Sequence, residues 1–566
     1  MSIKPQGARS GLTDNATDDF GSFEPNVPFE NFIARTQSFV SSLAAAGPAA
    51  SPAPSPAPSS AFDVFSVVSA AAPAPAPATK PVVTTTSAPT TSVVTTTTIS
   101  SVPSWVRSLS TASIAADMTA ADVNGTVSYS GLTKLFTDLD TLLTNTRTKL
   151  TTAEFNDLKT IAANLNNGMS TSGYLTSITQ ALVNGNAANA TWTGGAANAT
   201  ALGNLATGAS ATQLAELIGK WFLGTDLPSS KVILGNTSFS VSYSTSSKPL
   251  FASSGPSMND INQGYLGDCY LLASLAETAK QDPSAITSMF TSNGNGTYGV
   301  RFYVNGVARY VTVNSSLANG GNIFNSGADL WASLAEKGYA ELQATGVVTG
   351  NSVNFGNSWT TIGNGGAPEM ALEEITGASA ITDFRASGGS WAKVAYNSSF
   401  GVTGYTTGNS TASVLSALVS DLALGDDLVL SSWTNAKDST GKVTLVASHA
   451  MSIYGYDAAT GMLQVRNPWG SMTGQYWDTT FEVSLATLLA DGDTITVDNV
   501  GQGIKTSATP GATTASLKST ADVNGLHTMA SGFVQAIASL SDGGAGTSFT
   551  PAANVHQQQT LASPLA

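Results

Sequence analysis

The chain alternates between stretches with a clear apolar period and stretches without one. Between about 103 and 227, apolar residues recur at steps of three and four, which is the spacing of one helix face. In "GLTKLFTDLDTLL" they are Leu132, Leu135, Phe136, Leu139, Leu142 and Leu143. Thr151 and Glu154 have capping-box spacing and predict the start of the next helix. The pattern therefore predicts a small all-α bundle over 103–227.

The pattern is mixed between 228 and 500. "YGVRFYVNGVARYVTVN" predicts two strands joined by a tight turn at Asn305 and Gly306. "DLWASLAEKGYAEL" predicts an amphipathic helix, and "SHAMSIYGYDAATGMLQVRNPWG" predicts a strand, a turn at Gly461 and a returning strand. Strands and helices in this arrangement predict a separate α+β domain over 228–500.

Three further segments show no such period. Residues 1–46 are polar, residues 47–102 are rich in Pro, Ala and Thr, and residues 501–566 are rich in Ser, Thr, Gly and Ala. Alternating Ala-Pro favours extended chain, and Ser/Thr tracts cannot build a core. We therefore predict a polar N-terminal segment over 1–46, a disordered linker over 47–102 and a low-complexity tail over 501–566.

The charge and the apolar runs exclude some classes of partner. The formal net charge is −14 and only 11% of residues are charged, which argues against nucleic acid and anionic membrane surfaces as partners. No run of about 18 apolar residues occurs, so we predict no transmembrane segment. The first twenty residues lack an apolar leader, and the composition fits export by a leaderless route about as well as a cytoplasmic protein.

The chain has one cysteine, Cys269, at the junction between a polar stretch and an apolar helix pattern. One cysteine excludes an intrachain disulfide and a multi-cysteine metal site. Gly264 and Gly267 precede it, and Leu272 and Leu275 continue a helical face after it. Cys269 is therefore predicted in the first helical turn, where free backbone amides favour a thiolate.

The chain has three histidines, and two of them, His527 and His556, lie in the predicted tail. The third, His449, begins a predicted strand, and Asn467 follows where the returning strand ends. A strand, a turn and a returning strand can bring Asn467 beside His449, where an amide oxygen can orient the imidazole. Taken singly, each residue has an ordinary structural role; together with Cys269 they form a set with nucleophile, base and orienting group.

Four motifs in order resemble the calpain-type cysteine proteases over about 250–500. "DINQGYLGDCYLLASLA" resembles the family's nucleophile segment, and "SHAMSIYGY" with "LQVRNPWG" resembles its histidine and asparagine segments. "DLWASLAEKGYAEL" resembles its Leu-Trp helix, and "NGGAPEMALEEITG" resembles its Gly-Gly segment. The flanking regions do not resemble those of calpains, and the chain is similar to a bacterial-type member of the family.

The resemblance implies a calcium-dependent-type, calpain-like cysteine endopeptidase with a two-lobed, papain-like fold. Its helical lobe carries the cysteine, its antiparallel β lobe carries His449 and Asn467, and protein or peptide substrates bind between the lobes. Cys269 resembles the nucleophile, His449 the general base and acid, and Asn467 the orienting residue. Gln263 resembles the oxyanion-hole amide.

The resemblance also implies supporting and substrate-binding residues. Gly365 and Gly366 resemble the family's substrate-contacting glycines, and Trp469 is expected to shield the His449–Asn467 hydrogen bond. Gly267 and Asp268 belong to the nucleophile motif as supporting residues.

The sequence itself requires no cofactor. Asp260 matches one calcium-ligating position of the family, so Ca²⁺ is an expectation that rests on the resemblance alone. The matching acidic residues are not evident in "LQATGVVTG" or in "SMTGQYWDTT". Tyr270 stands where the family usually has Trp.

Two other functions remain open on the same fold. The site also suits amide transfer of the transglutaminase kind, and the fold also suits a catalytically idle binding or effector protein. We also expect the linker over 47–102 to be a site of self-cleavage, because exposed disordered chain is readily cut.

Overall fold

The computed structural model describes residues 102–234, 237–319, 324–346 and 356–503. The predicted segment 1–46, the predicted tail beyond 503 and all of the predicted linker except Val102 lie outside these residues. The helices of the N-terminal region are α1 (Ser104–Arg107), α2 (Ala112–Ala121), α3 (Tyr129–Thr146), α4 (Thr152–Asn164), α5 (Gly173–Val183) and α6 (Ala211–Ile218). Short antiparallel pairs link them: β1 (Asp122–Val123) with β2 (Thr126–Val127), and β3 (Thr191–Trp192) with β4 (Thr200–Ala201).

Hydroxyl residues start the longer helices of this bundle. The side chains of Ser128, Thr151, Ser172 and Ser210 each accept a hydrogen bond from a backbone amide of the first turn. Thr151 forms the capping box with Glu154 that its spacing predicts. Helix α6 passes directly into a π-helical turn, Gly219–Leu223. The predicted helices are confirmed. They could be predicted because their start signals depend on neighbouring residues alone.

The next region holds the cysteine. Its strands are β5 (Lys231–Leu234), β6 (Thr237–Ser240), β7 (Ser242–Thr245), β8 (Phe290–Ser292), β9 (Thr297–Val304), β10 (Val307–Asn314) and β11 (Ser316–Asn319). Its helices are a 3₁₀ turn (Met258–Asp260), α7 (Cys269–Gln281), α8 (Pro283–Met289), α9 (Trp331–Ala344), α10 (Trp359–Ile362) and α11 (Pro368–Thr376). The β9–β10 turn has positive φ at both Asn305 and Gly306, as predicted for this hairpin.

An eight-stranded antiparallel sheet forms the remainder, in the order β14-β13-β12-β19-β15-β16-β17-β18. Its strands are β12 (Ala380–Ser387), β13 (Ser390–Asn397), β14 (Val402–Asn409), β15 (Leu428–Ser432), β16 (His449–Asp457), β17 (Met462–Arg466), β18 (Thr480–Val483) and β19 (Thr494–Val497). Helices α12 (Thr411–Leu424), α13 (Leu485–Asp491) and α14 (Val500–Gly503) accompany it. The helical lobe and the antiparallel β lobe confirm the predicted α+β class.

The N-terminal bundle packs on the β9–β10 hairpin. The Tyr174 hydroxyl lies 2.8 Å from the Thr312 hydroxyl, and Thr312 donates to the carbonyl of Trp221 at 2.5 Å. The Asn293 amide donates to the Tyr174 hydroxyl at 3.2 Å. The bundle therefore shares buried polar contacts with the cysteine-bearing region, although the predicted domain boundaries themselves remain a prediction.

Helix α7 packs against strand β16 of the sheet through buried residues. The Ser452 hydroxyl of β16 donates to the Ala273 carbonyl of α7 at 2.9 Å, and both residues are buried. This contact holds the first residue of α7 close to the first residue of β16. None of the described helices is both long enough and apolar enough to cross a membrane.

Three buried carboxyl groups meet where α7 crosses β15 and the end of β19. Thr278 donates to Asp427 at 2.6 Å, and Asp427 donates its backbone amide to Asp498 at 2.9 Å. Glu277, Asp427 and Asp498 are at most 3% exposed. Burial raises the pKa of Asp498 to about 7 and the pKa values of Glu277 and Asp427 well above their ordinary range. The folded protein therefore retains protons here that the unfolded chain releases.

Because of these three carboxyl groups, we expect the free energy of unfolding to fall as the pH rises. A carboxyl with a raised folded pKa stabilises the fold below its unfolded pKa, and that contribution is lost between about pH 4 and pH 7. In Asp498→Asn, we expect the loss between pH 5 and pH 7.5 to be smaller by on the order of 2 kcal/mol. Urea unfolding at the two pH values measures it; an equal loss in both proteins contradicts the prediction.

Candidate active site

Cys269 is the first residue of helix α7, as predicted. Asp268 precedes it as the N-cap residue, and its carbonyl accepts from the Leu272 amide at 3.0 Å. The Cys269 sulfur accepts a hydrogen bond from the backbone amide of Ala450 at 3.4 Å. The sulfur therefore lies between a helix N-terminus and the start of strand β16.

The residue before Ala450 is His449, and its ring is hydrogen-bonded to Asn467. Nε2 of His449 lies 3.0 Å from Oδ1 of Asn467, and the two side chains are 7% and 0% exposed. Because an amide oxygen only accepts, Nε2 carries the proton and Nδ1 is the free acceptor of the neutral ring. The structure thus brings together the three residues that the sequence separates by up to 198 positions.

Trp469 contacts both members of this hydrogen-bonded pair. Its ring centroid is 5.0 Å from that of His449, and its backbone amide donates to the same Asn467 oxygen at 3.0 Å. Trp469 also packs edge-on against Trp477, which is fully buried. The backbone of Trp469 therefore helps to hold the Asn467 oxygen in place, and shielding of the hydrogen bond from water stays a prediction.

Burial keeps the Cys269 thiol and the His449 imidazole neutral. It raises the pKa of the Cys269 thiol to about 11; the Ala450 amide opposes this shift and the charge of Asp268 adds to it. Burial lowers the pKa of His449 to about 4, and the hydrogen bond to Asn467 opposes the shift. At neutral pH the two side chains are therefore a neutral thiol and a neutral imidazole.

Gln263 is anchored on both sides of the site. Its backbone amide donates to the Pro468 carbonyl at 2.8 Å, which joins it to the turn that carries Asn467. Its side-chain nitrogen donates to the Leu266 carbonyl at 2.8 Å and to Asp268 at 3.2 Å. Both amide hydrogens are engaged, so donation to a third acceptor replaces one of these bonds.

Two of the three predicted glycines, Gly267 and Gly365, take part in one short backbone bridge, and Gly366 follows it. Gly267 donates to the Gly363 carbonyl at 2.9 Å, and Gly365 donates to the Gly267 carbonyl at 2.8 Å. A Cβ on Gly267 would lie 2.6 Å from the Gly363 carbonyl, and a Cβ on Gly366 would lie 2.5 Å from the Tyr270 ring. Close packing therefore requires glycine at two of the positions; contact with substrate stays a prediction.

Asp260 has a structural role in this arrangement. One of its oxygens accepts from the Ser257 amide at 2.8 Å and from the Trp331 indole at 2.9 Å. Among the residues that the structure describes, no group of three or more His, Cys, Asp or Glu residues could hold a metal ion. In this fold the Asp260 carboxylate closes the 3₁₀ turn and holds the Trp331 indole, and calcium at Asp260 stays a prediction.

Two buried charged residues beside the site were not predicted. Glu336 of α9 lies against Asp268, and Arg466 of β17 donates from Nη2 to the Ile261 carbonyl at 2.8 Å. Glu336 is 1% exposed and Arg466 is 2% exposed. The signal for Glu336 was its place among apolar residues in "DLWASLAEKGYAEL", where a carboxyl needs a buried partner.

The cysteine-bearing and sheet regions match a known family. Residues 239–484 match the sequence profile described as calpain family cysteine protease. The chain is 29% identical over 245 residues to calpain clp-4 of Caenorhabditis elegans, covering 39% of this chain and 29% of that protein. It is 26% identical over 248 residues to the calpain-2 catalytic subunit of Bos taurus, covering 41% of this chain and 31% of that protein.

A third relative gives the same span. Calpain-8 of Mus musculus is 27% identical over 251 residues, covering 41% of this chain and 31% of that protein. The chain therefore spans less than a third of the length of these relatives.

Proposed function

We propose that residues 239–484, which form a calpain-family cysteine protease domain, hydrolyse peptide bonds of protein or peptide substrates through the Cys269 thiolate. The observation that carries the proposal is the hydrogen-bonded His449–Asn467 pair beside a sulfur at a helix N-terminus. The family match supports cysteine endopeptidase chemistry, and the geometry supports the choice of residues.

In the proposed first step, the Cys269 proton passes to Nδ1 of His449 as sulfur attacks the substrate carbonyl. Nε2–H continues to donate to Asn467, which favours the imidazolium that forms. The helix N-terminus favours the thiolate and the negative charge of the tetrahedral intermediate. The imidazolium then protonates the leaving amine, and an acyl-enzyme remains on sulfur.

In the second step, water attacks the acyl-enzyme and His449 takes the proton from the water. The thiol is regenerated and the carboxylic acid product leaves. Trp469 covers the His449–Asn467 hydrogen bond, which limits access of water to Nε2. Because both groups are neutral in the resting site, the cost of charge separation falls within the chemical step.

Gln263 is proposed as the oxyanion donor together with the Cys269 backbone amide. For this role one hydrogen of its side-chain amide leaves the Leu266 carbonyl and donates to the oxyanion. The bond to the Asp268 carboxylate is kept, because a charged acceptor holds the amide more strongly than a carbonyl does. Gly365 and Gly366 are proposed to contact the substrate backbone.

The Gln263 proposal predicts a loss in the chemical step. In Gln263→Ala we expect kcat to fall by about 100- to 1,000-fold, because one donor to the developing oxyanion is lost. Steady-state kinetics with a peptide substrate measures this. Gln464→Ala, a partly exposed glutamine on the strand that leads to Asn467, is the matched control; equal rates in the two variants contradict the role of Gln263.

Amide transfer is separated from hydrolysis by one incubation. A peptide is mixed with the full chain in the presence and in the absence of a primary amine, and the products are identified by mass. Hydrolysis products in both mixtures support the endopeptidase; an isopeptide product without hydrolysis identifies a transferase. If neither product forms and Cys269→Ala behaves like the unchanged chain, the fold acts as a binding module.

The calcium dependence and the self-cleavage of the linker are proposals of the same kind with less support. If the proposed calcium dependence holds, removal of calcium by a chelator lowers the rate of hydrolysis and added calcium restores it; an unchanged rate contradicts it. The linker over 47–102 lies almost wholly outside the described residues, and its composition is what favours cleavage there.

A further inference from the structure

We propose that Glu336 and Asp268 hold one proton between them and that this shared proton fixes Asp268 as the acceptor that positions the Gln263 amide. Glu336 is then a positioning residue of the active site, acting through two side chains. The inference deepens the proposed function and rests on it for the role of Gln263; the shared proton itself does not depend on catalysis.

The first observation is a pair of buried oxygens with no donor. Asp268 is 0% exposed and Glu336 is 1% exposed. Oδ2 of Asp268 and Oε1 of Glu336 are both buried and, among the described residues, receive no hydrogen bond from an N–H or O–H group. The two carboxyl groups nevertheless lie within hydrogen-bond reach of each other. A proton between these oxygens satisfies both at once.

The other two oxygens show which carboxyl keeps the proton. Oδ1 of Asp268 accepts from the Gln263 amide at 3.2 Å, and the residue stands at the N-terminus of α7. From the part of the chain that the structure describes, Oε2 of Glu336 accepts one hydrogen bond, from the Asn325 amide at 3.3 Å. The better-stabilised anion is therefore Asp268, and Glu336 is the neutral donor.

The charges around the pair support one proton rather than none. Lys337 follows Glu336, but its ammonium points away and donates to Asn314 and to the Ser316 carbonyl at 2.8–3.0 Å. On the adjoining segments, Asp260 is engaged by Ser257 and Trp331, and Asp329 by the Ala252 amide. Two ionised carboxylates in contact without a cation cannot both persist when buried.

The electrostatic directions agree with this geometry. Burial raises the pKa of Asp268, and the hydrogen bonds with Glu336 and Gln263 oppose that shift. Burial, and next the charge of Asp268, raise the pKa of Glu336 well above its ordinary value. The groups of α7 that face Asp268 are Cys269 and Tyr270, and its charge raises the pKa of each.

The consequence for the site concerns Gln263. While Glu336 donates to Oδ2, Asp268 is held with Oδ1 toward the Gln263 amide. If the pair loses its proton, two like charges repel and Asp268 moves, and with it the acceptor of the amide. A second full charge beside Cys269 also disfavours the thiolate. Activity then falls on the alkaline side because of Glu336.

Three variants test the inference. Glu336→Gln replaces the O–H donor by an N–H donor that does not titrate, and Glu336→Leu removes the donor at similar volume. Glu341→Gln is the matched control, since Glu341 is a second buried glutamate of α9 that interacts with Lys337, Asp226 and Lys220 rather than with Asp268.

The first measurement is the pH profile of kcat. Near pH 6 we expect the kcat of Glu336→Gln to stay within about threefold of that of the unchanged chain. At alkaline pH we expect the fall in kcat to begin at least about one pH unit higher in this variant. We expect Glu336→Leu to lose at least about 30-fold in kcat with little change in KM. Equal damage in both variants at every pH, or an alkaline limb unmoved in Glu336→Gln, overturns the inference.

The second measurement does not need activity. Unfolding releases the shared proton above about pH 5. While the folded pair keeps its proton, the equilibrium constant for folding of Glu336→Gln should therefore rise, relative to that of the unchanged chain, by about tenfold for each pH unit above about pH 5. Urea unfolding of both proteins over this range measures the gain. No gain refutes the shared proton whatever the activity; a gain in a chain without peptidase activity refutes the proposed function alone.

Discussion

Cys269→Ala is expected to lose peptide hydrolysis almost completely, with kcat falling by about 10⁵- to 10⁶-fold. This loss has the size seen when the nucleophile is removed from a nucleophile–base–orienter set, because binding and oxyanion donors alone leave only a small residual rate. The sulfur receives one weak hydrogen bond, from Ala450, so its removal leaves the packing of α7 nearly intact. The fold should be retained.

The measurement is peptide cleavage by the variant and the unchanged chain, with circular dichroism on both. Lys280→Ala serves as the control on the same helix, since Lys280 lies at its exposed end. Full activity in Cys269→Ala contradicts the nucleophile. Loss of activity together with loss of helical signal assigns the effect to unfolding, and Cys269→Ser, which keeps the volume, then decides.

Asp226→Ala is expected to reduce the free energy of unfolding by about 3–5 kcal/mol, the largest change in stability that we predict. Asp226 is 2% exposed and forms an ion pair with Lys220, which is 8% exposed. It also accepts from the amides of Thr193 and Gly194, each at 2.7 Å. Its removal leaves a buried ammonium and two buried amides without their acceptor.

A matched surface pair isolates the effect of burial. Asp138 forms an ion pair with Lys134 on helix α3, where the two side chains are 45% and 61% exposed. Asp138→Ala should cost less than about 1 kcal/mol, because solvent already screens the pair. Urea unfolding of the two variants provides the comparison. Equal midpoints would contradict the role assigned to the buried pair.

Local signals were predicted well from the sequence. The capping box at Thr151, the positive-φ turn at Asn305 and the helix start at Cys269 all depend on neighbours within a few residues. Each of these motifs satisfies its backbone groups by itself, so tertiary context did not change it.

Contacts between distant segments could not be predicted in the same way. Arg466 donates to a carbonyl 205 positions earlier in the chain. Glu336 of helix α9 contacts Asp268, which caps a different helix, α7. The local sequence around Arg466 or Glu336 does not identify the partner, because a buried charge indicates only that some partner is needed. The expectation of calcium at Asp260 came from the family resemblance and stays a prediction; in the fold, one oxygen of its carboxylate accepts from Ser257 and Trp331.

Labelling of Cys269 tests the central claim most directly. A peptide that carries a thiol-reactive electrophile is incubated with the full chain, with His449→Ala and with a model thiol, and the labelled residue is identified by mass spectrometry. If His449 takes the thiol proton as sulfur attacks, the full chain is labelled at Cys269 much faster than His449→Ala, in which the buried thiol keeps its raised pKa and is labelled no faster than the model thiol. Equal rates in all three samples would contradict the proposed active site.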